Sequence, residues 1–249
     1  MINRGRAEAA RLLDDFPPAT IVFQPIVALA PWQVIGFEAL ARFSDGVAPP
    51  QHLARAEQLG IREELELLLI ERAIESMDAI PEPLSVTFNA SGVTILRPEL
   101  SDLMSGITRA WGLEIYEGAT AADLTAVRAR VTQLGGQLLI DDAGAVCADE
   151  NRITALRPDV VKIDRALFWQ VAEDDAAKER VASLVAAARD AGASVLVEGV
   201  SDAEQVERAT ALGSDYAQGF YLGLPTPAAE VRTLLDDLQR GIGMDAAGL

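Results

Sequence analysis

The 249-residue chain has a single histidine, His52, and a single cysteine, Cys147. Zinc sites built from several imidazole or thiolate ligands are therefore excluded, as is an H-E-x-x-H helix. His52 follows Pro49-Pro50 in a polar stretch remote from any cluster of acids, which reads as a surface histidine and not as the base of a Ser-His-Asp triad. One cysteine makes no internal disulfide, which suits a cytoplasmic location. No apolar run reaches the length of a membrane span, and residues 1–18 lack the apolar core of a signal peptide. Basic residues are scarce too: 21 Lys plus Arg against 38 Asp plus Glu give a formal charge of −17. That balance argues against a DNA or RNA polymer, or an anionic membrane, as partner. An anionic substrate would need metal to bridge acid to acid. With imidazole and thiol so rare, the ligands must be oxygens, which points to Mg²⁺, Mn²⁺ or Ca²⁺.

What the chain does have is acids at the ends of short apolar runs. Leu138-Leu139-Ile140 ends in Asp141-Asp142, and Val160-Val161 runs into Lys162-Ile163-Asp164. Runs of this length, the first preceded by Gly135-Gly136, read as buried parallel strands. Two carboxylates at ~4–5 Å repel by roughly 3–4 kcal/mol at an effective dielectric of ~20, and a divalent cation is the usual remedy. Taken alone, two aspartates in a solvated turn would explain the first run as well.

The rest of the chain repeats the pattern. Strands are expected at 20–27 (interrupted by Gln24-Pro25), 34–43, 84–91, 113–117, 138–142, 160–164, 194–200 and 216–222. Helical stripes lie between them, among them Leu65, Leu68, Leu69, Ala73 and Met77. Thr120-x-x-Asp123 and Ser201-x-x-Glu204 read as capping boxes. A helix is also expected over 4–16, so residues 1–18 form a short leader and 19–249 one domain without an internal linker. About eight strands alternating with helices predict an α/β barrel of the (β/α)8 TIM type; a doubly wound open sheet is the alternative, though it would lack a G-x-G-x-x-G or P-loop. Glu38, Asn89, Glu114, Asp141, Asp142, Lys162 and Glu198 fall at or near strand carboxyl ends, which converge on one mouth in a barrel.

Phe23-Gln24-Pro25-Ile26 and Glu38-Ala39-Leu40-Ala41-Arg42 resemble the opening of the EAL domain, the cyclic di-GMP phosphodiesterase family. Asn89-Ala90-Ser91, Leu113-Glu114-Ile115, Asp141-Asp142, Lys162-Ile163-Asp164, Glu198-Gly199-Val200 and Gln218-Gly219-Phe220 follow in the family's order. The resemblance implies a modified barrel whose first strand is antiparallel to the others. It implies a bacterial second-messenger signalling enzyme that opens cyclic di-GMP to linear pGpG, and a homodimer as one assembly. By resemblance, Glu38, Asn89, Glu114 and Asp141 hold one Mg²⁺ or Mn²⁺, and Asp141 with Asp142 helps to hold a second. Lys162 would orient or activate the attacking water, with Glu198 beside it, and Gln24, Leu40, Arg42 and Gln218 would serve the dinucleotide. Burial beside metals would disfavour the Lys162 ammonium. A plain partner for Asp164 is the structural alternative for that lysine.

The family's loop after the paired aspartates usually reads DDFGTGYSSL. Here residues 143–150 read Ala-Gly-Ala-Val-Cys-Ala-Asp-Glu, placing Val146 at a glycine and Glu150 where an apolar anchor is expected. Glu117 matches the glutamate that tethers this loop through hydroxyls this chain lacks. Ser201 stands where the family has a second glutamate. The altered loop leaves open a phosphodiesterase, a cyclic di-GMP receptor with little turnover, and an interaction scaffold.

Overall fold

A computed structural model describes residues 2–116, 123–145 and 149–245. In chain order the elements are α1 (Ile2–Leu13), β1 (Ala19–Leu29), β2 (Trp32–Phe43), α2 (Pro49–Leu59), α3 (Arg62–Ser76), β3 (Ser85–Asn89), α4 (Gly92–Ile95), α5 (Pro98–Met104), β4 (Trp111–Tyr116) and α6 (Leu124–Leu134). There follow β5 (Gln137–Ala143), α7 (Asp149–Leu156), β6 (Val160–Ile163), α8 (Arg165–Gln170), α9 (Asp175–Ala191), β7 (Ser194–Val197), α10 (Ala203–Ala211), β8 (Tyr216–Ala217), β9 (Thr226–Pro227) and α11 (Val231–Asp245).

Strands β2 to β8 pair in parallel, each with the next, and β1 closes the ring by pairing antiparallel with both β2 and β8. This is a closed barrel with helices outside and β1 inverted. β1 runs straight through Gln24-Pro25, and the missing amide of Pro25 is followed by a register shift at Ile26/Val27. Inside, Ile26, Leu139, Val160 and Leu196 form an apolar floor with Ile35 and Tyr216. Outward residues such as Phe37, Phe88, Leu113, Ile140 and Val195 bury themselves under the helices. Parallel strands covered on both faces explain why these segments read as unbroken apolar runs.

Several expectations shift in detail. β7 and β8 stop at Val197 and Ala217, short of the expected 200 and 222, because Gly199 adopts φ +73° and the chain turns after Gln218. Thr120 lies outside the described residues, and the cap of α10 falls one residue past the expected Ser201. Asp123 itself caps α6 by accepting from the Thr125 and Ala126 amides, and Asp202 caps α10 by accepting from the Gln205 amide. Ser201 gives its amide to Gln205 Oε1 at 2.8 Å. His52 is not a surface residue. It is 5% exposed, its ring lies 4.0 Å from Phe43, and Nε2 meets Asp45 Oδ1 at 3.2 Å. The aromatic pair buries it, with Phe16 beyond, in the satellite core that seats Ala9 of α1. Among the described residues, no helix is long and apolar enough to cross a membrane.

Candidate active site at the barrel mouth

Strand alternation brings one polar layer to the top of the barrel, above the apolar floor. Lys162 of β6 is its centre and is fully buried. Its Nζ lies 2.5 Å from Glu114 Oε2 (β4), 2.8 Å from Asp141 Oδ1 (β5), 2.8 Å from Glu198 Oε1 and 3.4 Å from Glu38 Oε2 (β2). The approach to Asp141 Oδ1 is an ion-pair contact without hydrogen-bond geometry. Glu38 also accepts from Asn89 Nδ2 at 3.0 Å and from Gln218 Nε2 at 2.9 Å. Asp164 is not a partner of Lys162 at this layer; it caps α8.

Alternation alone would send Asp141 and Asp142 to opposite faces. A bulge between Ile140 and Ala143 in the β5–β6 pairing, with Asp142 at φ +55°, brings both toward the mouth. Oxygens of Asp141, Asp142 and Glu198 then lie within 4.8 Å of one another. Gly219 is equally constrained, since a Cβ there would sit 2.1 Å from the Val200 carbonyl oxygen. Only glycine lets the turn after β8 pass so close, which sets Gln218 under Glu38.

The electrostatics follow from five acids around one lysine. Burial pushes Glu114 up to about 8, with Glu38 and Asp141 adding to the effect against Lys162. Burial, then Asp141, raises Asp142 to about 6. Glu198 is also raised, by burial and then by Asp141 and Glu38 against the pull of Lys162. At Glu38 burial is outweighed by Lys162, Asn89 and Gln218, and its carboxyl falls below the usual range. For Lys162, burial opposes the charge, but Asp141, Glu114, Glu198 and Glu38 outweigh it and hold the ammonium firmly protonated. Burial alone would weaken that ammonium, and the four carboxylates in contact oppose it.

The donor set fits a divalent cation. Glu114 Oε1 and Gln218 Oε1 are buried oxygens without a hydrogen-bond partner among the described residues. All the candidate ligands are oxygens, and the acids outnumber the cations around them, which is the setting hard cations take.

A cavity of about 690 Å³ opens over this layer, and Glu38, Leu40, Arg42, Asn89, Glu114, Asp141 and Asp142 line it. It runs outward along β2 to Leu53, Glu57, Arg62 and Glu66 on α2 and α3. Gln24 does not line it; that side chain faces the loop after β8, with Nε2 3.4 Å from the Gly223 carbonyl. Lys162, Glu198 and Gln218 sit in the layer beneath. Glu117, Val146 and Cys147 lie outside the described residues. Glu150 is anchored after all, through polar partners: Arg180 and, at 2.7 Å, the Ser183 hydroxyl of α9. Sequence reading missed Glu66; an acid among the buried positions of α3, between Leu65 and Ile70, was the available signal.

The barrel has counterparts among known proteins. The chain belongs to the EAL domain family. The match to the EAL domain covers residues 18–225. Cyclic di-GMP phosphodiesterase RocR of Pseudomonas aeruginosa is 29% identical over 224 residues, 82% of this chain and 57% of that one. The MucR phosphodiesterase in its c-di-GMP complex superposes with a TM-score of 0.74 at 27% identity, covering 86% of this chain and 94% of that one. Klebsiella pneumoniae BlrP1 in a manganese/cy-diGMP complex gives a TM-score of 0.74 at 25% identity, over 85% of this chain and 57% of that one. The chain spans only 27% to 32% of the length of several curated relatives, including an uncharacterized signaling protein of Caulobacter vibrioides.

Proposed function

We propose that this EAL domain is a divalent-metal-dependent phosphodiesterase that opens cyclic di-GMP to linear pGpG. One observation carries the reading: five carboxylates and Lys162 meet at the barrel mouth beside buried oxygens that lack a partner. In this reading Glu38, Asn89, Glu114, Asp141 and Asp142 hold two Mg²⁺ or Mn²⁺ ions. When bound, the ions supply charge neutralisation and Lewis-acid activation for an in-line displacement at phosphorus.

The chain's own residues do the rest. Leu40 and Arg42 line the cavity above the acids, where the guanidinium offers charge to a phosphodiester and Leu40 offers apolar surface to the remainder of the dinucleotide. Lys162, held as an ammonium, orients the attacking water and offsets charge developing on the phosphoryl oxygens. Glu198, 2.8 Å from that nitrogen, is the acid placed to relay a proton. Gln218 fixes Glu38 from below, and Gln24 supports the loop that follows Gln218. The protein acts in the cytoplasm, and a homodimer is the assembly this reading expects.

The second reading, a cyclic di-GMP receptor with little turnover, is favoured by Glu150, whose polar anchoring departs from the apolar one the family's loop uses. Incubation of the purified protein with Mn²⁺ or Mg²⁺ and cyclic di-GMP, followed by chromatography, separates the two. Appearance of pGpG supports the enzyme. Tight binding without product supports the receptor and overturns the enzyme.

A further inference from the structure

Glu66 is a buried carboxylate, 5% exposed, on α3 outside the ring around Lys162. Its Oε2 accepts from the Ser91 amide at 2.8 Å and from the Thr94 hydroxyl at 2.6 Å. Its Oε1 accepts from Arg62 Nε at 2.8 Å, one helical turn earlier. Thr94 is fully buried, and Ser91 caps the short helix α4 through the Thr94 amide. One carboxylate thus gathers both ends of the turn that leaves β3. Asn89, two residues before Ser91, is the last residue of β3 and donates to Glu38 at 3.0 Å. On its other side the turn is pinned by the Ala90 amide to the Glu114 carbonyl at 3.0 Å.

We propose that Glu66 is a positioning residue for the cation site: it fixes the turn after β3 from the helix layer and so aims the Asn89 amide between Glu38 and the mouth. The inference rests on the proposed metal-binding role of Asn89. Without Glu66, the Ser91 amide and the Thr94 hydroxyl lose their acceptor. A buried unsatisfied donor is costly enough for the turn to rearrange. A displacement of Asn89 by ~1 Å is enough to spoil a ligand set that must be preorganised. The serine hydroxyl of Asn89-Ala90-Ser91 serves the same turn, accepting the Thr94 amide at 3.2 Å and donating to the Thr94 hydroxyl at 3.1 Å.

The test is a double-mutant cycle read by Mn²⁺ titration calorimetry, with no nucleotide present. Glu66→Ala is expected to weaken Mn²⁺ binding about ten-fold, the scale at which an outer group supports a ligand. In an Asn89→Ala background the same change is expected to add almost nothing, because both act through one amide. Glu66→Gln, which keeps an acceptor oxygen for Ser91 and Thr94, is expected to recover most of the affinity. Should Glu66→Ala fail to fold, Thr94→Val enters the same cycle, with a smaller loss that again vanishes when Asn89 is absent. Parent-like binding by Glu66→Ala, or a full repeat of its loss in the Asn89→Ala background, overturns the inference and leaves the proposed function standing. A parent protein that binds no Mn²⁺ overturns the metal reading itself, and the positioning role falls with it.

Discussion

The Glu150 carboxylate accepts the Ser183 hydroxyl at 2.7 Å, tying the start of α7 to the middle of α9 across 33 residues. Arg180 completes the tie and, with Ser183, draws the Glu150 carboxyl down to about 2. The residue that reads in sequence as a missing apolar anchor is an anchor of another kind.

Glu150→Leu is therefore expected to lower the melting temperature. The group is about a third exposed, so solvent screening keeps the loss near 1 kcal/mol or less, or roughly 2–4 °C for a chain of this size. A carboxyl whose folded pKa is depressed stabilises above its unfolded value and loses that contribution as pH falls through the folded one. The gap between parent and Glu150→Gln should thus be full at neutral pH and close between about pH 4.3 and pH 2. A gap that widens on acidification would contradict the assignment.

Removing Glu38 should abolish turnover without costing the fold. Its loss leaves Lys162 three other carboxylates and relieves crowding among the acids. Glu38→Ala is expected to melt at or above the parent temperature while pGpG formation drops at least about 100-fold. Unchanged hydrolysis would take Glu38 out of the site.

Lys162→Met tests the reverse imbalance. Taking the cation from a buried group of acids costs about 3–5 kcal/mol when nothing replaces it. The variant should melt far below the parent in chelator, and added Mn²⁺ should close part of that gap by binding the folded state. A Mn²⁺ response no larger than the parent's would mean that the acids do not share a cation.

Metal identity has its own expected outcome. Mg²⁺ or Mn²⁺ should support hydrolysis, Ca²⁺ should permit cyclic di-GMP binding with poor turnover because its coordination is looser, and chelator should stop the reaction. Full activity in excess chelator would remove the two-metal account.

Asp202→Ala should cost about 1 kcal/mol, whereas Ser201→Ala and Glu204→Ala should be nearly silent, since Asp202 caps α10. A loss at Ser201→Ala and Glu204→Ala with Asp202→Ala silent would restore the capping box read from sequence.

The pattern of what was legible has a physical cause. Strand position and the inward set Glu38, Asn89, Glu114 and Lys162 follow from a two-residue period with charge at the strand ends, so they can be read locally. Asp142 breaks that period, and its direction depends on a bulge that no local pattern announces. His52 stands in a polar stretch but is buried by Phe43, on a strand it meets only after folding. The charge balance at Lys162 is hidden for the same reason: four carboxylates on four other segments reach it. Glu66 was invisible because its role depends on a turn that lies 25 residues away in sequence.

The inverted first strand has a consequence for how the molecule is made. β2 through β7 can add one neighbour at a time as the chain lengthens, but β1 must wait for β8 before its second edge is covered. Glu38 meets its Gln218 partner across 180 residues, so the acid ring is finished only when the last wall segment docks. Contacts of such separation form slowly. A chain still being synthesised carries most of its acids early and an assembled mouth only at the end, so binding competence should appear as the final event of folding.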